Sequence, residues 1–199
     1  SLVSRNVTDL RVHARRLDAN GLLELFSSRN DYEQNRALLD RLVSGGVSLP
    51  GQVDNQIHSH PIALAPVLDG TARGAAWVGW RSGASVIGQV VQVTDLGLTA
   101  KLSEQGSLVW VTRLGTGQPV AGASVELLGR APPVSKSYRT DADGLVQIPA
   151  ADYRPRLLDY GSEDDTLLIA RLDGDSSFRR VADFLPPWRL DVPSRLSVA

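Results

Sequence analysis

Apolar and polar side chains alternate along much of residues 91–149, in short runs cut by turn residues. Leu98, Ala100 and Leu102 alternate with polar neighbours, and Leu108, Trp110 and Leu114 do so after a Glu104-Gln105-Gly106 break. That period of two predicts a hairpin of two half-buried strands with these residues facing inward. The break at Gly115-Thr116-Gly117-Gln118-Pro119 leads to a third strand over 120–128, where Val120, Val125 and Leu127 are apolar. Ala121-Gly122-Ala123 is small enough there to lie close against a neighbouring backbone. Ser137-Tyr138-Arg139 and the run 145–149 flank Asp141-Ala142-Asp143-Gly144, a turn in which Gly144 can take positive φ. The runs 166–172 and 177–182 complete about seven strands, a spacing that predicts a β-sandwich.

The first half reads differently. Leu10, Val12 and Ala14 alternate with Arg11, His13 and Arg15 over 7–17, as in a sheet strand with one basic face. Residues 18–26 and 31–43 carry Leu and Phe at helical spacing, the second run started by Asn30 or Asp31 and stopped by Gly45-Gly46. These amphipathic helices, a segment over 18–43, are expected to lie across one side or end of a sheet. From Val47 onward Val53, Ile62, Ala63, Leu64, Val67 and Leu68 predict strands, as do 75–80 and 86–93, the last two joined by Arg81-Ser82-Gly83-Ala84. The second alternating series starts at once, so a domain boundary is expected near Thr94 with no disordered linker. This gives domains over 1–94 and 95–192. Pro186, Pro187 and Pro193 make 193–199 read as an extended connection to a following domain.

A chain of 199 residues is comfortable for two domains of about 100 each. With 21 basic and 22 acidic residues, and no long block of one sign, nothing favours electrostatic capture of nucleic acid or a membrane surface. The absence of cysteine removes disulfides, thiolate nucleophiles and Cys-based zinc sites together. No apolar run is long enough for a membrane-spanning helix, and Ser1-Leu2-Val3 reads as the start of a mature or excised fragment.

Candidates for chemistry are few. His58 and His60 share one side of a strand and with His13 would make a three-histidine zinc set, yet nothing in the sequence brings His13 near them. They are expected to be exposed strand histidines. Asp141, Asp143 and Gly144 resemble the start of a calcium loop, but the twelfth position is Asp152, beyond Pro149. Glu163-Asp164-Asp165 reads as a solvated loop. Gly-x-Ser-x-Gly and phosphate-cradling loops do not occur. Trp77, Trp80, Trp110 and Trp188 would serve an aromatic platform for sugar or peptide, but Trp77 and Trp80 point to opposite faces of a regular strand, so at most one of them is core. The expectation is a non-enzyme without catalytic, cofactor-binding or metal residues.

Thr94-Asp95-Leu96-Gly97-Leu98, Leu108-Val109-Trp110-Val111-Thr112, Gly117-Gln118-Pro119-Val120-Ala121-Gly122-Ala123-Ser124-Val125, Thr140-Asp141-Ala142-Asp143-Gly144-Leu145 and Leu167-Leu168-Ile169-Ala170-Arg171 occur in that order. The order resembles macroglobulin-type domains of bacterial α2-macroglobulins, over about residues 90–185, with a looser likeness before. The resemblance implies two tandem antiparallel β-sandwich domains of mainly-β class, the first with helical insertions. It also implies scaffold domains from the N-terminal half of a broad-spectrum protease inhibitor, which traps proteases after bait cleavage. Many relatives couple to the protease through a Cys-x-x-Gln thioester, which this chain cannot hold, and no bait is assignable. The implied partners are other domains of the parent, target proteases through the full-length protein, and an envelope protein. The implied location is the periplasm or cell envelope, free or anchored through a lipoprotein N-terminus outside the sequence. The alternative is an Ig-like spacer or binding module of a bacterial surface adhesin, whose stalks share the Gly-x-Pro-Val-x-Gly turn. The helical segment 18–43 and the absence of close internal repeats set the chain apart from such stalks.

Overall fold

The computed structural model describes residues 2–26, 47–52, 54–82, 85–130, 133–155 and 165–184. The expected helix over 31–43, the connection over 193–199, Trp188, and Glu163-Asp164 lie outside the described residues. In chain order the elements are β1 (Leu2–Ser4), β2 (Val7–Leu17), α1 (Ala19–Phe26), β3 (Val47–Gln52), β4 (His58–His60), β5 (Gly74–Ser82) and β6 (Ser85–Val93). There follow β7 (Leu96–Lys101), β8 (Gly106–Arg113), β9 (Ser124–Arg130), β10 (Pro133–Arg139), β11 (Leu145–Pro149), β12 (Leu167–Leu172) and β13 (Asp175–Arg180), then a 3-10 turn over Val181–Phe184. All pairings are antiparallel, in sheets ordered β1-β4, β3-β2-β5-β6, β11-β8-β7 and β10-β9-β12-β13. The mainly-β antiparallel class is the one the alternation predicts.

The β11-β8-β7 and β10-β9-β12-β13 sheets pack face to face over a core of Leu96, Leu98, Val109, Val111, Val125, Leu127, Val146, Ile148, Leu168 and Ala170. The hairpin β7-β8 is where alternation predicts it, but β8 is turned over: Val109 and Val111 are fully buried, while Leu108 and Trp110 face outward. Leu98 pairs with Val111 and Ala100 with Val109, and on the other side Val146 pairs with Val109. Residues directly opposite share a face, so the inward set of both neighbours dictates the valines. The third strand begins at Ser124, not at 120, because Gly122 takes φ +73° and turns the chain ahead of it. The last strand ends at Arg180, and residues 181–182 enter the 3-10 turn. β12 and β13 are joined by Asp173-Gly174, both at positive φ, the Asp-Gly pair that two-residue hairpins require.

At Asp141 to Gly144 the turn is held by its own side chain: Asp141 Oδ1 accepts from Asp143 N at 3.0 Å and from Leu145 N at 2.8 Å. Gly144 sits at φ +73°, and a Cβ there would come within 2.5 Å of Val111 O. Beside it, Thr140 Oγ1 accepts from Ala123 N at 2.8 Å and donates to Val120 O at 2.6 Å, so this buried hydroxyl is satisfied on both counts.

In the first half, one face of β3-β2-β5-β6 packs Val12 and Val78 against Leu2 of the β1-β4 ribbon, with Ile62 and Leu64 beside them. Residues 61–70 are not strand. Pro61 and Pro66 lack the donors that a ladder needs, and Leu64 O accepts from Val67 N and Leu68 N in a tight turn that buries Leu68. The opposite face packs Leu17, Ala75 and Trp77 against α1. Asp18 caps that helix, accepting from Gly21 N at 2.8 Å. Leu22, Leu23 and Leu25 of α1 share a cluster with Trp77 on one side and with Leu167 and Ile169 of β12 on the other. The helix lies between two sheets and not merely across one.

Two outcomes follow from this packing. Gly144→Ala must accommodate both positive φ and the contact with Val111 O, and it should destabilise the chain by about 2–4 kcal/mol in urea unfolding; a loss under about 0.5 kcal/mol would contradict the turn geometry. The half-buried Tyr138 donates to Asp152 Oδ2 at 2.9 Å, and Asp152 also pairs with Lys136 Nζ at 2.8 Å. Burial first, then the carboxylate, raises the phenol from 10.0 to about 12. A raised folded-state value contributes stability below the unfolded value of about 10 that is lost between there and about 12. Near-ultraviolet absorbance titration should show a tyrosine ionisation centred near pH 12 that Tyr138→Phe removes; if the ionisation lost in the variant is centred near pH 10.0 instead, the contact is refuted.

Candidate functional site

Histidine and aspartate candidates fall in different places. His58 and His60 lie on β4 but are half-buried rather than exposed, because the ribbon is tied at its ends. His60 Nε2 is 2.8 Å from Ser4 Oγ, and His58 Nε2 is 2.8 Å and 3.0 Å from the two Asp54 oxygens. That hydrogen bond, followed by one from Gln56 N, holds Asp54 below its usual carboxylate value. Sequence spacing offers a signal for this pair in the i, i+4 separation. His13 lies on β2 opposite Gly79, in the other sheet. Among the described residues, no three His, Asp or Glu side chains are grouped as metal ligands.

The acidic turn is equally occupied. Asp141 Oδ1 accepts from two backbone amides, and Asp152, the twelfth position of the calcium-loop reading, is held by Tyr138 and Lys136. Asp165 is buried, and its Oδ1 accepts from Arg130 N at 3.0 Å, so this residue of the acidic run is a structural anchor and not a solvated one. Trp77 and Trp80 do take opposite faces of β5: Trp77 is fully buried, and Trp80 is partly buried against the other cluster. Trp110 is 44% exposed, and its Nε1 donates to Asp143 O at 3.1 Å. The three described tryptophans form no common platform.

Polar groups converge instead where β6 and β13 meet. The carboxamide of Gln92 donates to Phe178 O at 3.3 Å and accepts from Phe178 N at 3.0 Å. These are the two bonds that a partner strand would exchange with Phe178, so the side chain stands in for a peptide unit at the edge of β13. Asp175, whose side chain has no exposed surface, accepts through Oδ2 from Arg73 Nη1 and from Asp95 N, both at 2.9 Å. Arg73 precedes β5 and Asp95 precedes β7, so one buried carboxylate joins three segments. Around them Phe26 and Phe178 have ring centroids 6.0 Å apart, and the Arg180 guanidinium lies 5.1 Å from the Phe26 ring while pairing with Asp183. A cleft of about 380 Å³ opens between Phe26, Val90, Phe178 and Arg180. Neither Gln92 nor Asp175 carries a signal in the alternation, since each acts through a long-range contact.

This arrangement fixes two groups of sheets against each other. No curated protein sequence matches the chain. The fold is that of solved Escherichia coli alpha-2-macroglobulin: a native structure spanning domains NIE-MG1 is 19% identical, with 90% of this chain and 86% of that chain covered and a TM-score of 0.60. One spanning MG0-NIE-MG1 is 19% identical, with 90% and 57% covered and a TM-score of 0.57. A Salmonella alpha-2-macroglobulin is 17% identical, with 94% of this chain but 11% of that chain covered and a TM-score of 0.54. The family model for the bacterial alpha-2-macroglobulin MG3 domain matches residues 93–197, more than half of the 199, and the chain belongs to that family.

Proposed function

We propose that residues 1–94 and 95–192 are two successive domains in the N-terminal half of an envelope-located, broad-spectrum protease inhibitor. In this reading they serve the parent as a rigid, non-catalytic scaffold. The parent would trap proteases after bait cleavage, with this pair setting where neighbouring domains stand. The observation that carries the reading is the junction, in which α1, Gln92 and Asp175 hold the two parts by apolar packing and paired polar contacts together. A stalk of independently tethered modules would need no such shared cluster.

Because the chain has no cysteine, it forms no thioester, and two domains are too few to enclose a protease. The purified chain should leave cleavage of a large protein substrate by a general endopeptidase unaltered, and should form no adduct resistant to SDS. Stoichiometric protection against several unrelated proteases would sink the proposal. Rigidity has its own test. The chain should unfold in one calorimetric transition, and Leu22→Ala should lower stability by about 2–5 kcal/mol for reporters in both halves. Two well-separated transitions in the unaltered chain would show that the junction does not couple them.

A further inference from the structure

The outward face of β8 departs from what a solvated sheet face should carry. In an antiparallel sheet with one side on the core, the other side is normally polar. Here the inward Ser107, Val109 and Val111 are buried, while the outward Leu108 and Trp110 are 36% and 44% exposed and Leu114, just past the strand, is 62% exposed. Leu145 of β11 is paired directly with Trp110, extending the apolar strip across the sheet.

The strip is preorganised. The indole N–H of Trp110 is already satisfied by Asp143 O, in a turn that Asp141 itself braces. A partner covering the ring would therefore strand no donor. Leu114 N donates to Asp95 O at 2.7 Å, and a Cβ on Gly97 would meet Leu114 Cδ2 at 3.0 Å, so one Leu114 methyl rests over the glycine. Ordered aromatic and leucine anchors lose little freedom on burial.

From this we infer that the Leu108-Trp110-Leu114 face is the surface on which a further domain of the same parent chain docks. The inference rests on the scaffold reading and names its contact. β8 has both edges paired, by β7 and β11, so it offers no backbone for an added peptide strand. At the outward sheet positions the charge is Lys101, opposite Leu108, and it calls for an acidic group on whatever covers the strip. A strip of four side chains falls short of the roughly 1,000 Å² that a free partner needs. A tethered domain, held at an effective concentration of about millimolar, needs far less. The chain covers 11% of the Salmonella chain it resembles, so such a parent supplies many candidate surfaces. The fitting one is flat, apolar and acidic where it meets Lys101.

The test places the photo-crosslinker benzoylphenylalanine at position 108 in the full-length parent, with position 57 on the remote ribbon as control. The expected result is a cross-link from 108 to residues of the same parent molecule outside 1–199, weakened several-fold by Leu114→Asp. A cross-link confined to residues 1–199, one to a second molecule, or none above the control would overturn the inference. In the 199-residue chain Leu114→Asp should shift the melting temperature by no more than about 2 °C, which keeps loss of docking distinct from loss of folding. A parent encoding no further domains would defeat the scaffold reading itself, an outcome readable before any cross-linking.

Discussion

Leu167, Leu168, Ile169 and Ala170 are buried in succession, so over these four residues β12 has no solvent face. Leu168 and Ala170 point into the sandwich core, while Leu167 and Ile169 point into the cluster with α1 and Trp77. A strand covered on both sides reads as a continuous apolar run, the pattern seen here. Each of its large side chains contributes about 1.5–3 kcal/mol by burial. Because the contributions divide between two clusters, loosening this strand would loosen the sandwich and the junction together. The helix follows from the same constraint: without Leu22, Leu23 and Leu25, the outer side of β12 would face water.

The junction adds polar contacts whose arrangement matters more than their net energy. A hydrogen bond contributes about 0.5–1.5 kcal/mol net, but leaving a buried partner unpaired costs about 1–3 kcal/mol. Apolar surfaces tolerate sliding, whereas the two bonds between Gln92 and Phe178 exist in one register only. Asp175 places the start of β5 and the start of β7 on one carboxylate, so the direction in which the chain leaves β6 is fixed at the point where it enters the sandwich. A scaffold needs that kind of definition, and hydrophobic burial alone does not supply it.

Most of the sandwich is legible in the sequence because its turns carry their own chemistry. Asp141 to Gly144 and the hairpin between β7 and β8 stand where alternation and turn residues place them. Register is less legible. Leu108, Val109, Trp110 and Val111 are all apolar, so period two cannot say which pair faces in, and the choice is made by Leu98, Ala100 and Val146 on strands distant in sequence. Residues 61–70 mislead for another reason: apolar content suggests strands, but two prolines remove donors and the chain turns instead. The junction is the least legible part, since Gln92, Asp175 and Trp77 act across separations that no local pattern records.

The same accounting shows what the residue types that suggest chemistry do among the described residues. A metal ligand or general base needs a lone pair left available to the ligand or substrate. Asp141 gives Oδ1 to two backbone amides, Asp152 bonds to Tyr138 and Lys136, Asp165 braces Arg130, and Asp54 holds His58. Each carboxylate is committed to fixing a turn, an edge or a ribbon end. The outward face of β8 contrasts with these, since its indole has its polar atom satisfied and its ring still presented. An ordered set of polar contacts inside and an apolar strip outside are what the docking proposal draws on, since an exposed apolar patch on a sheet face is the usual mark of a surface that another body covers.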